Sequence, residues 1–181
     1  MSNAIDGLID GGSVGALGGS GRIPAHFDAD EAENDEKIEQ QFAVACFEQA
    51  ETYMGLIQTI KGSTLKRLTK HDDEIHDEFV KRFPELQSDE RLSKLDEDEL
   101  KSTEGKRRWR EFMMPFESKV DDYNFGTLIR ADVGEDYTEK NSIFGYRTQF
   151  YAIEIARNRR KLNDPVWEKA QAQAGGKENQ A

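Results

Sequence analysis

The chain has 181 residues and carries Lys+Arg 25 against Asp+Glu 36, a formal net charge of -11. That average field repels nucleic acid and anionic membrane, which are bound through a net gain of cation–phosphate contacts. A hydrophobic share of 36% beside 34% charged residues suits one compact domain with polar ends, and no apolar run approaches the ~20 residues that cross a bilayer.

Residues 1–33 are expected to be a disordered head. Met1 to Ile23 holds seven of the 15 glycines, with Ser and Ala between them. Such a segment loses much backbone entropy on folding and has little to bury. The glycine run has no preceding strand and no Gly-Lys-Ser/Thr ending, so it reads as linker and not as a phosphate cradle. Met1 to Asp10 lacks a basic region and is broken by Asp6 and Asp10, unlike a secretory signal. A lone Cys46 excludes an internal disulfide and suits a reducing compartment. A cytoplasmic location is expected, with the nucleus as a second one.

Residues 34–163 form the predicted domain. Ile38, Phe42, Ala45, Cys46, Gln49, Tyr53, Leu56, Ile57 and Ile60 recur at helical spacing, with Asn34 or Asp35 as cap and Gly62 as terminator. Cys46 lies on that apolar stripe, which predicts a buried thiol. A second helix follows Thr69, whose spacing to Asp72 resembles a capping box; Ile75, Phe79 and Phe83 form its stripe and Pro84 ends it. His71 and His76 lie about 140° apart around that helix, so they do not converge on a metal. Asp96 and Glu99 allow a capped short turn. Trp109, Phe112, Met113, Phe116, Val120 and Tyr123 mark a third helix, with a break expected at Pro115. Lys106, Arg107, Arg108 and Arg110 surround Trp109; the pattern predicts an inward indole with solvated, ion-paired cations.

After Asn124 the period changes. Phe125 to Asp132 is rich in β-branched and aromatic residues and can pair with Ser142-Ile143-Phe144 in a short hairpin. The last helix is predicted from about Tyr146 to Lys161, where Glu154 and Arg157 are spaced to pair. Residues 164–181 are expected to be a flexible polar tail. The fold class is therefore all-α, a compact orthogonal helical bundle with room for one short β-hairpin.

Three stretches carry a resemblance: Thr69 to Ile75, Val120 to Arg130, and Phe150 to Arg159. Together they resemble the small eukaryotic family called polysaccharide biosynthesis domain-containing protein 1, over roughly Asp35 to Asn163. Two departures stand out: the last helix starts at Tyr146 where the family has proline, and the long charged C-terminal tail of human-type members is short here. The resemblance implies a mostly helical domain without catalytic, cofactor or metal residues. It implies a cytosolic chaperone for newly made translation elongation factor 1-alpha, engaging the GTP-binding domain, with ribosome-associated factors as further candidate partners. Nucleic acid and membrane are not expected partners. The family's label derives from distant similarity to plant xylan-methylating proteins, yet this chain lacks the glycine-rich strand-to-helix turn of a doubly wound sheet. A methyltransferase-like enzyme is the alternative reading, and an acidic scaffold subunit is the third.

A client-specific chaperone covers apolar surface that its client has not yet buried. Aromatic and arginine side chains dominate such contacts. The candidate contact residues are accordingly Tyr123, Phe125, Leu128, Arg130, Tyr151 and Arg157.

Overall fold

The computed structural model describes residues 29–178, with side chains for 38–175; the glycine-rich head, residues 1–28, lies outside the described residues. The described residues are mostly helical, with a small two-stranded antiparallel sheet. Helix α1 (Ala29–Thr59) begins before the expected cap, so residues 29–33 belong to it and not to the head. Then come α2 (Asp72–Arg82), α3 (Asp89–Ser93), α4 (Glu97–Lys101) and α5 (Thr103–Met113). Strands β1 (Gly126–Arg130) and β2 (Ser142–Tyr146) precede α6 (Arg147–Arg159) and α7 (Asp164–Glu178).

Local chemistry sets these boundaries. Pro84 and Pro115 each lack an amide donor, and each stands in a short 3₁₀ turn that follows a helix, α2 and α5 respectively. Asp96 and Ser102 cap α4 and α5 by accepting from the amides of Glu99 and Gly105. The expected capping box of Thr69 and Asp72 is not formed, because His71 holds the cap position and Asp72 is the first residue of α2. Asp72 accepts from the amides of Leu68 and Thr69, while Thr69 Oγ1 accepts from His71 and not from Asp72.

The core is aromatic on one side of α6. Phe79, Phe83, Trp109 and Phe112 interlock, with Phe83 stacked on Trp109 at 4.1 Å between ring centres. Trp109 points inward as expected. Around it Arg107 pairs with Glu104 and Glu111, and Arg108 with Glu85. The hairpin packs on α1 and α6, in the register Gly126↔Tyr146 through Arg130↔Ser142.

Two expectations need correction. Ile38 and Ile60, assigned to the buried stripe of α1, are 56% and 43% exposed, because they lie at the edges of the packed segment. Residues 164–178, expected as flexible tail, form α7 and lie along α1. Asp164 fixes its start: its two carboxylate oxygens accept from the Ser63 amide at 2.9 Å and hydroxyl at 2.7 Å. Alanine and glutamine in the segment favour helix once that end is anchored.

Candidate partner-binding site

Asp122 takes a positive φ of 51°, which turns the chain from the third predicted segment into the hairpin. The turn is stapled to the start of α6. Tyr123 O accepts from the amide and hydroxyl of Thr148, and Phe125 O accepts from the Arg147 amide at 2.8 Å. This fixes Phe125 at the edge of the sheet, where the Arg147 guanidinium stands 5.2 Å from its ring centre and pairs with Asp122.

Phe125 belongs to a ring cluster. Phe42, from α1, lies 5.8 Å from both Phe125 and Phe144, and Phe144 lies 5.9 Å from Tyr146. All four rings are half-exposed, and the exposed Ile38 stands one turn before Phe42. The close approach depends on Gly126. A β-carbon there would overlap the Phe42 ring tip and come within 2.7 Å of Phe144. Beneath, Cys46 donates to the Gly126 carbonyl at 3.2 Å and Leu128 packs with Cys46 and Ala50. Burial raises the Cys46 thiol to about 11, as its place on the stripe requires.

The six expected contact residues divide. Tyr123, Phe125 and Tyr151 are half-exposed; Leu128 is buried at 8%. Arg130 and Arg157 are fully buried, so a contact role for them is corrected by the structure. Their terminal guanidinium nitrogens bond internally, while the buried Arg130 Nε has no hydrogen-bond partner among the described residues. Arg157 donates to the carbonyls of Leu92 and Arg130 and to Glu154 at 2.8 Å. Arg130 donates to the Val133 carbonyl and to Asn163, and its guanidinium lies 3.5 Å from Glu154. Glu154 also accepts from Tyr53 and Asn163, both at 2.8 Å. Burial alone would raise the Glu154 carboxyl, but the charges of Arg157 and Arg130 and the bonds from Arg157 and Asn163 hold it below the usual carboxylate range. Burial and the Glu154 charge push the Tyr53 phenol well above its ordinary value. With both neighbours charged and every carboxylate oxygen bonded, this cluster is a lock between α1, β1 and α6.

Sequence reasoning missed Phe42, Phe144 and Tyr146 as surface residues. Phe42 shares its helical phase with the buried Cys46, Ala50 and Tyr53, so only the alternation of Phe144 and Tyr146 along β2 signals a sheet face meeting α1. Among the described residues no three His, Cys, Asp or Glu side chains could hold a metal, and no helix is long and apolar enough to cross a membrane.

A family profile described as PBDC1 protein matches residues 38–168, which include the whole aromatic cluster. The chain is 54% identical over 138 residues to Protein PBDC1 homolog of Saccharomyces cerevisiae, covering 76% of this chain and 94% of that protein. Identity to Protein PBDC1 of Homo sapiens is 45% over 144 residues, covering 80% of this chain and 60% of the human protein. A solution NMR structure of protein yst0336 from Saccharomyces cerevisiae matches with TM-score 0.69 and 52% identity, over 78% of this chain and 97% of that one. At these identities, spanning the domain from end to end, the chain belongs to the PBDC1 protein family.

Proposed function

We propose that this protein is a non-enzymatic, client-specific chaperone with a compact, orthogonally packed helical scaffold, acting in the cytoplasm. Its client in this reading is the GTP-binding domain of translation elongation factor 1-alpha during synthesis, as the family resemblance implies. The observation that supports it is the half-exposed cluster of Phe42, Phe125, Phe144 and Tyr146, extended by Ile38. A contiguous apolar surface on a chain with net charge -11 is suited to cover a client's unburied side chains. Opposite charge on a basic client raises the encounter rate. Tyr123 and Tyr151, each partly exposed, are further candidate contacts in this reading; nucleic acid and membrane play no part.

The test is capture of elongation factor 1-alpha from a cell-free translation reaction by the full chain and by the Phe125→Ser/Phe144→Ser variant. Loss of capture with little change in melting temperature supports the reading. Undiminished capture by the variant, or no capture by the parent chain, overturns it. Saturable binding of S-adenosylmethionine in calorimetry would replace it by the methyl-transfer reading.

A further inference from the structure

Most cations on this acidic surface are ion-paired, as in Arg91–Glu99, Lys101–Glu97 and Lys119–Glu74. The loop between α1 and α2 departs from that rule. Lys66, Arg67 and Lys70 are exposed and enter no ion pair among the described residues, although acids outnumber bases in the chain. The loop is nevertheless held in place. Leu65 and Leu68 pack against the core on either side of the two cations, and Asp72 accepts from the amides of Leu68 and Thr69.

Lys66 and Arg67 line a cleft with Gly62, Asn158 and Arg159, whose volume is about 60 Å³. The negative groups around it are engaged: Asp72 by the loop amides and Asp73 by Arg159 at 2.5 Å. The site therefore offers one guanidinium and one ammonium with no ion-pair partner among the described residues, on a fixed backbone beside the cleft.

We propose that this cleft is a docking site for a glutamate- or aspartate-rich segment of another protein, one carboxylate entering the pocket while its neighbours meet Lys66, Arg67 and Lys70. A nucleic acid, whose affinity rests on many phosphate contacts, would meet only three cations without an ion pair among the described residues of this loop. The surface is separate from the aromatic cluster: Phe42 and Thr59 are about 25 Å apart along α1, so the proposal does not rest on the chaperone reading.

The experiment is fluorescence anisotropy with a labelled glutamate-rich peptide and the full chain at low ionic strength. Saturable binding is expected, weakened about tenfold in the Lys66→Ser/Arg67→Ser variant and kept in Lys66→Arg/Arg67→Lys. Neither side chain has an ion-pair partner among the described residues, so the melting temperature is expected to stay unchanged. Lys106→Ser, which removes another exposed cation, keeps the affinity. Absence of peptide binding, an equal loss in Lys106→Ser, or tighter binding of a single-stranded RNA of matched charge overturns the proposal.

Discussion

Glu154 and Arg157, one turn apart on α6, form an ion pair of 2.8 Å with both side chains fully buried. Arg130 approaches the same carboxylate from β1 at 3.5 Å, so one anion faces two cations with all three side chains fully buried. Removing one member of such a cluster leaves uncompensated buried charge, which costs far more than the intact cluster contributes. Glu154→Gln is expected to destabilise the fold by about 3 kcal/mol or more, read as a drop in urea midpoint. The pH dependence has a definite sign. The Glu154 carboxyl is held below its ordinary value of 4.5, so its contribution is present above that pH and is lost as pH falls further. The acid limb of the stability profile should therefore be shallower in Glu154→Gln than in the parent chain.

The Cys46 thiol donates to Gly126 and is raised to about 11 by burial. At pH 8 its thiolate fraction is about a hundredfold below that of a thiol at the ordinary value, before steric shielding adds to the protection. Alkylation should be negligible in the native chain and fast in denaturant. The linkage sign is opposite to that of Glu154. Unfolding frees an acid whose proton the fold retains, so stability falls as pH rises from 9 towards 11. Cys46→Ala should remove that part of the alkaline decline.

Much of this architecture is legible from residue spacing. Ile75, Phe79 and Phe83, or Trp109, Phe112 and Phe116, state their buried faces through helical period, and Pro84 and Pro115 state where helices stop. The Glu154–Arg157 pair is legible too, being local. What spacing does not carry is which polar groups the fold buries. Tyr53 meets Glu154 across 101 positions, and Asn158 meets Tyr53 across 105, so no local pattern announces them. Arginine is also the residue type that suits both a buried ion pair and an exposed hot spot, so Arg130 and Arg157 read either way until their exposure is known. The surface cluster hides for a related reason: Phe42 looks like core because it follows the stripe, yet the hairpin covers only part of it.

Gly126 tests the link between backbone and that cluster. Its hydrogen lies where a methyl group would overlap Phe42 and crowd Phe144. Gly126→Ala must push α1 away from β1 or turn both rings out of their contacts. A destabilisation of about 1–3 kcal/mol is expected, the usual cost of overpacking. The same displacement should loosen the Cys46–Gly126 bond, so thiol labelling of the variant should run faster at pH 8 than in the parent chain.

The helix that replaces the expected tail gives the last prediction. Asp164 is 5% exposed and ties α7 to the turn after α1 through Ser63, with Lys61 at 3.8 Å. Beyond it, Trp167 lies 5.5 Å beneath the Lys61 ammonium and Gln171 donates to the Gln58 carbonyl. Asn163, which serves the buried charge cluster, precedes this helix, so a chain ending at 163 keeps the lock and loses the contacts of α7 with α1 and with the Ser63 turn. Removing residues 164–181 is therefore expected to lower the urea midpoint and to uncover the face of α1 that α7 packs on. Asp164→Ala, which leaves the Ser63 amide without its acceptor, should reproduce about 1–3 kcal/mol of that loss. A truly flexible tail would give two variants with the parent midpoint; the anchored helix gives two graded losses, the truncation the larger.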